Sequence, residues 1–130
     1  MNEMIPPAQI TDPAILIRIS QMYSPALSAQ ALYEATRGVW VIGKRRERAQ
    51  YAFSVASGVI QEVFSVHSWH TAGSTPYSTR SHNDVDYQGR WEFIGEVAPS
   101  SIRLKYVGCS VAHYFRRGAA NPIMYLNCDR

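Results

Sequence analysis

The chain has 130 residues, of which 46% are hydrophobic and 18% are charged, and its formal net charge is +3. This size and composition predict one folded domain over residues 1–130 and exclude both a disordered chain and two domains of ordinary size. No apolar run approaches the roughly 20 residues of a membrane-spanning helix, and no signal-peptide pattern is visible, so we expect no membrane partner. Cys109 and Cys128 lack metal-type spacing and are expected to be reduced thiols, which predicts a cytoplasmic protein.

Arginine dominates the basic residues. Only Lys44 and Lys105 among the 13 basic residues are lysines. A guanidinium group is planar and binds phosphate, carboxylate or guanine edges through two parallel hydrogen bonds. The codons of a GC-rich genome also favour arginine, so the composition permits a nucleic-acid partner without requiring one.

The N-terminal part is expected to be helical. Residues 1–9 are a polar, proline-containing lead-in that we expect to be loosely ordered. Asp12 is a good N-cap and Pro13 suits the first helical position, so a helix is predicted to begin there. The apolar stripe that supports this helix consists of Ile15, Leu16, Ile19 and Met22. A second helix is predicted over Ser28–Ala35, which gives a helical lead over residues 12–36.

From residue 39 onward the apolar residues alternate, which is typical of strands. The predicted strands are Val39–Ile42, Tyr51–Ala56, Val59–Trp69, Arg90–Val97 and Pro122–Asn127, with a short helix over Pro99–Tyr106. Ser57-Gly58 is a two-residue hairpin signal whose geometry pairs Phe53 with Glu62 on an otherwise apolar face. Short strands must protect their edges, and a small barrel does so. We therefore predict an α+β fold in which residues 39–128 form a five- to six-stranded, mostly antiparallel barrel with short flanking helices.

Arginine and tryptophan residues are interleaved around the predicted strand ends. Arg37 and Trp40 flank the entry into the predicted barrel, and Arg90 begins the fourth strand. Trp69 ends the third strand beside Thr71–Gly89, a polar loop whose length is typical of functional or disordered loops. Aromatic rings stack on bases and arginines bind phosphates or base edges, so these four residues predict a ligand pocket for a nucleotide. Each tryptophan taken alone is more often a core residue.

Glu62 is a fifth candidate for that pocket. The predicted register places its carboxylate on an apolar face, where burial without a partner is unfavourable. It would therefore accept hydrogen bonds from a base or, as the more ordinary alternative, form a structural salt bridge with Arg37 or Arg90. A one-residue error in the register would instead place Glu62 in water.

Two basic turns are candidate phosphate contacts. One contains Lys44, Arg45 and Arg46, and the other contains Arg116 and Arg117. If both turns lie on one side of the barrel, they form a footprint for a phosphate backbone. The ordinary alternative for each turn is a solvated loop.

No familiar catalytic motif is present, and no catalytic residue is assigned. His67 and His70 would share a metal only if their strand ended before Trp69, while His82 and Asp84 could bind a hard cation in the polar loop. These residues support an alternative hypothesis, a metal-dependent nuclease or nucleotide-processing enzyme. The favoured prediction includes no metal and no cofactor.

Three short motifs stand out: ATRG-x-W at Ala35–Trp40, GRWEF at Gly89–Phe93 and NPI at Asn121–Ile123. Through them the chain, from Leu32 to Cys128, resembles a widespread family of small uncharacterised prokaryotic proteins. The resemblance implies a PUA-like barrel, of the group that includes the ASCH, EVE and YTH branches, and binding of RNA or a modified base in a pocket on the barrel. The ASCH and YTH motifs themselves are not visible, so no site residue carries over. Cys109 stands where a lysine or arginine is expected, which removes one phosphate contact.

The favoured prediction is a binding module that recognises a base of a nucleotide or nucleic acid in a barrel pocket. The metal-dependent enzyme is one alternative. A defence-associated accessory or nucleotide-sequestering protein is another, and it would release its ligand unchanged. The sequence leaves a homo-oligomer open.

Overall fold

The computed structural model describes residues 5–129, which contain six β-strands, three α-helices and two short 3-10 helices. In chain order the elements are β1 (Ala14–Arg18), α1 (Ala29–Arg37), β2 (Gly38–Trp40), the basic 3-10 helix (Lys44–Arg48), β3 (Tyr51–Ala56), β4 (Val59–Thr71), α2 (His82–Val85), β5 (Trp91–Val97), α3 (Ser100–Tyr106), a second 3-10 helix (Ala112–Tyr114) and β6 (Ile123–Leu126). The predicted α+β class is confirmed. No helix in this part of the chain combines the length and apolar character that a membrane crossing requires.

The six strands form one curled sheet in the order β2-β5-β4-β3-β1-β6. Neighbouring strands are antiparallel except β1 and β3, which are parallel, so the sheet is mixed. The amide of Gly43, just after β2, donates to the Tyr125 hydroxyl of β6 at 3.0 Å. The curl therefore brings the two edge strands towards each other, and within residues 5–129 the sheet is a half-barrel with an opening between β2 and β6.

Helices cover both faces of the sheet. The core cluster on the α1 side contains Ile15, Ile17, Ala35, Phe64 and Phe93. The core cluster on the α3 side contains Leu16, Phe53, Val63 and Tyr106. Neighbouring residues of the central strands β1, β3 and β4 thus enter different clusters, so these strands carry apolar residues on both faces.

The predicted helix beginning at Asp12 is wrong, because the residues that follow it form β1. Strand β1 lies between β3 and β6, and residues 14–17 are fully buried there. A run of consecutive apolar residues is typical of such a doubly covered strand, and its spacing also satisfies a helical stripe. Asp12 caps no helix; its carboxylate accepts a hydrogen bond from the Tyr106 hydroxyl at 2.6 Å.

Within the lead-in that is predicted to be loosely ordered, Ala8 packs against the rest of the domain. Ala8 is buried, and its amide donates to the carbonyl of Ser110 at 2.8 Å. Residues 1–4 of the lead-in lie outside the described residues. The second predicted helix is confirmed as α1, which Ser28 caps by accepting a hydrogen bond from the amide of Ala31 at 3.0 Å.

The predicted hairpin is confirmed, but its register is not. Ser57-Gly58 joins β3 to β4, and the pairs next to the turn follow the expected register. A β-bulge then shifts the pairing, so that Glu62 lies opposite Ser54 instead of Phe53. One extra residue on β4 produces this shift, and turn chemistry gives no sign of it.

Candidate functional site

A groove with a volume of about 600 Å³ lies at the opening of the half-barrel. Its walls come from the end of β1, from β2, from the loop between β4 and β5, and from residues 119–122 before β6. Its charged and aromatic lining residues are Arg18, Trp40, Arg80, Asp84, Tyr87 and Arg90. Three guanidinium groups against one carboxylate give the groove a positive field, which attracts anions.

Arg18, the last residue of β1, is held in place by local contacts. Its Nη2 atom donates to the backbone carbonyls of Ala119, at 2.8 Å, and Asn121. Its guanidinium group lies 4.4 Å from the centroid of the Phe115 ring. Among the described residues, Nε and Nη1 of Arg18 have no hydrogen-bond partner, so these donors are available to a ligand.

Arg80 is anchored in the same manner from the long loop. Its Nη1 atom donates to the carbonyl of Glu34 at 3.0 Å and to the carbonyl of Gly38 at 2.6 Å. These carbonyls lie at the C-terminal end of α1, where the helix itself leaves carbonyls unsatisfied. Arg80 therefore closes the end of α1 with one nitrogen, and Nε and Nη2 are left without a partner in residues 5–129.

Two aromatic side chains complete the groove. Tyr87 is 49% exposed, and the guanidinium group of the exposed Arg90 lies 5.0 Å from its ring centroid. The indole nitrogen of Trp40 donates to the carbonyl of Thr36 at 2.8 Å, which fixes the ring at the groove wall. The groove thus presents ring surfaces beside cationic groups.

A buried carboxylate anchors the loop that carries Arg80. Glu34 of α1 is 1% exposed and accepts hydrogen bonds from the amides and hydroxyls of Ser78 and Thr79, at 2.7–3.1 Å. Burial alone would raise the pKa of Glu34, but hydrogen bonds from Gln30, Ser78 and Thr79 outweigh it and lower the pKa to about 2. The ionised carboxylate therefore holds residues 78–79 against α1.

A second buried carboxylate, Glu92 of β5, anchors the start of the same loop. It accepts from the amides of Gly73 at 2.8 Å and Thr75 at 2.9 Å, and from the Tyr77 hydroxyl at 2.9 Å. The Thr75 hydroxyl also donates to Glu92 and accepts from Nη2 of Arg37. The two carboxylates, Glu34 and Glu92, thus hold residues 73–80 by hydrogen bonds, while residues 81–90 extend to the groove.

Of the five predicted ligand-binding residues, Trp40 and Arg90 are brought together in the groove. Arg37 lies beneath the loop at 1% exposure, where its Nε donates to the carbonyl of Phe93 at 2.9 Å. Its Nη2 atom is 3.7 Å from the Glu92 carboxylate, and its guanidinium group is 4.1 Å from the Tyr77 ring. Arg37 therefore supports the loop and does not line the groove.

Glu62 and Trp69 also lie outside the groove. Glu62 forms a two-bond ion pair with Arg103 of α3, at 2.7 and 3.2 Å. The expected salt-bridge partners, Arg37 and Arg90, are therefore wrong, because Arg37 is buried beside Glu92 and Arg90 lies beside Tyr87 in the groove. Trp69 packs against Phe93 with ring centroids 5.3 Å apart, and its buried indole nitrogen has no partner among the described residues.

The first basic turn forms the basic 3-10 helix. Arg45 lies 4.3 Å from the Tyr125 ring, and Arg46 lies 3.6 Å from the Trp91 ring. Lys44 is exposed to solvent. Arg45 and Arg46 are thus held on aromatic rings, and each also pairs with a carboxylate, Arg45 with Asp129 at 3.2 Å and Arg46 with Glu47 at 3.1 Å.

The second basic turn, Arg116 and Arg117, is exposed just before the groove wall formed by residues 119–122.

The candidate metal ligands are scattered. His67 approaches Glu96 at 3.5 Å, His70 contacts Ser68 at 2.7 Å, and His82 approaches Asp86 at 3.3 Å. Within residues 5–129, no group of three or more His, Cys, Asp or Glu side chains could hold a metal ion.

Sequence reasoning missed three of the charged and aromatic residues that line the groove, Arg18, Arg80 and Tyr87. Arg18 lay inside the wrongly predicted first helix, which hid its position at a strand end. Arg80 and Tyr87 belong to the long polar loop. The length of this loop indicates a function, but it does not indicate which of its residues line the groove.

Comparisons of the chain with protein-family models, with curated proteins and with solved structures found no match. The resemblance drawn from the three sequence motifs and its PUA-like classification therefore stay predictions. The structure does give two of the motifs a physical role, because Arg37 of ATRG-x-W and Glu92 of GRWEF meet in the buried network beneath the loop.

Proposed function

We propose that the groove binds a nucleotide-type ligand, an aromatic base carrying a phosphate, either free or as part of a nucleic acid. The observation that carries this proposal is the convergence of Arg18, Arg80 and Arg90 on one groove beside Trp40 and Tyr87. A phosphate needs several N–H donors, and a base needs a flat ring to stack on. The groove supplies both within one volume, and small-molecule sites typically occupy about 300–1,000 Å³.

The anchoring of the arginines supports binding rather than simple solvation. Arg18 and Arg80 are each tied to two backbone carbonyls, so their guanidinium groups are positioned before a ligand arrives. A preorganised group loses less conformational entropy on binding than a free surface side chain. The PUA-like fold that the sequence motifs imply is part of the same proposal.

Calorimetric titration tests this proposal with AMP, GMP, CMP and UMP and with ten-nucleotide single strands of RNA and DNA. Arg90→Gln is the test variant, since Arg90 is exposed and its loss should leave the fold intact. We expect at least about tenfold weaker binding of whichever probe binds, because a hydrogen bond to a charged group contributes about 1.5–3 kcal/mol.

Lys105→Gln is the matched control, because it removes the same charge from α3, outside the groove. The Lys105→Gln variant should bind each probe with the same affinity as the original chain. Absence of binding by every probe at low salt would refute the proposal. An equal loss of affinity in Arg90→Gln and Lys105→Gln would also refute it.

A further inference from the structure

We infer that the ligand is a single nucleic-acid strand that continues past the groove onto the basic 3-10 helix. This inference rests on the proposed function and names the form of its ligand. The surface concerned, called the strand track below, consists of Trp40, Trp91, Arg45, Arg46 and Lys44.

The strand track is continuous with the groove. Trp40 lines the groove and pairs with Trp91 across β2 and β5. Arg90, another lining residue, directly precedes Trp91. The guanidinium group of Arg46 lies 3.6 Å from the centroid of the Trp91 ring. A strand leaving the groove over Trp40 therefore meets the basic 3-10 helix next.

The spacing between the groove and the basic 3-10 helix sets the length of a ligand that would contact both. The amide of Gly43 bonds to Tyr125 of β6, three residues beyond Pro122 at the groove wall. At about 3.3 Å per strand residue, the backbone of Tyr125 lies roughly 10 Å along β6 from the backbone of Pro122. A ligand that reaches both places is longer than the base and phosphate that the groove itself accommodates.

The arginines of the strand track are positioned rather than mobile. Arg46 lies over Trp91 and Arg45 over Tyr125, as Arg18 lies over Phe115 in the groove. Part of each guanidinium edge is occupied: Nη1 of Arg46 donates to the Gly43 carbonyl at 2.9 Å, its Nε lies 3.1 Å from Glu47, and Nη1 of Arg45 lies 3.2 Å from Asp129. The Nη2 atom of each arginine has no hydrogen-bond partner within residues 5–129 and can donate to a phosphate, and the planar group can also stack on a base. Such a series of cationic and aromatic groups is typical of single-strand binding surfaces.

The experiment compares a mononucleotide with a ten-nucleotide single strand on the same variants. Lys44→Gln with Arg46→Gln should leave mononucleotide affinity unchanged and weaken the ten-nucleotide strand. Loss of two phosphate contacts should also reduce the slope of log affinity against log salt by about 1.4 for that strand. Lys44→Gln with Arg45→Gln alters two exposed residues of the strand track and serves as a second variant if Arg46 proves necessary for folding.

Arg103→Gln with Lys105→Gln is the matched control, since it removes two positive charges from α3. The inference is overturned if mononucleotide and strand bind equally tightly, or if the strand-track and control variants lose affinity equally. Absence of binding by every probe would instead refute the proposed function itself, so the two failures are distinguishable.

Discussion

Replacing Glu34 with Gln removes the charge that holds the loop against α1 while keeping the shape of the side chain. The carboxylate accepts from the amides and hydroxyls of Ser78 and Thr79. The hydroxyls can rotate, but the backbone amides cannot. Glutamine offers one acceptor oxygen and an NH₂ group, so one of these amides would face another donor in a buried site.

The lowered pKa of Glu34 gives the size of the contribution that the ionised carboxylate makes to stability. Its fall from the ordinary value of 4.5 to about 2 is equivalent to about 3 kcal/mol of stability, at 1.36 kcal/mol per unit. Since the folded-state pKa is the lower one, this contribution is complete above pH 4.5 and is lost as the pH falls towards 2. The variant, which cannot ionise at this position, lacks the contribution at every pH.

Urea unfolding followed by tryptophan fluorescence measures the difference. We expect Glu34→Gln to be about 3 kcal/mol less stable at pH 7, and the gap to shrink to less than half of that at pH 3. Glu96→Gln, at a carboxylate whose side chain is 70% exposed, is the charge-matched control and should change stability by less than about 0.5 kcal/mol. A gap below about 1 kcal/mol at pH 7, or one that is the same at pH 3, would refute the reasoning.

Two further predictions concern other buried groups. The hydrogen bond from Tyr106 lowers the pKa of Asp12, so Tyr106→Phe should lose about 1.5–3 kcal/mol in urea unfolding at pH 7, a deficit that shrinks as the pH falls through the acid range and Asp12 is protonated. A deficit independent of pH would contradict this account. Burial raises the pKa of Cys128, whereas Cys109 is partly exposed, so a thiol reagent should modify one cysteine rapidly and the other only as the protein unfolds. Cys109→Ser should abolish the rapid phase, and equal rates for both thiols would exclude the predicted difference.

The elements that could be predicted are those that neighbouring residues determine. Ser57-Gly58 defines a tight hairpin because its two residues adopt positive φ, and Ser28 begins α1 because its hydroxyl reaches the free amide of Ala31. The identity of β1 depended instead on burial from both sides by distant elements. No spacing within residues 14–18 reveals those neighbours.

The candidate site was less predictable for a related reason. Trp40 and Arg90 were found because aromatic and basic residues at strand ends are typical of ligand sites. Arg18 joins them only because the sheet curls and brings β1 and β2 to one opening, a property of the whole sheet. Glu62 shows the same limit, since a single bulged residue shifts its partner on β3 from Phe53 to Ser54.

The position of β1 also bears on how the chain folds during synthesis. Its partner β6 lies near the other end of the described chain, and the hydrogen-bonded residues Arg18 and Ala119 are 101 positions apart. At the usual 5–20 residues per second, the ribosome needs roughly 5–20 s to make the intervening residues. During this time a strand whose residues 14–17 are all apolar lacks at least one of its two neighbours, β3 and β6. Completion of the sheet therefore waits for the C-terminal segment, and nascent chains that stop before β6 should be the forms that chaperones bind.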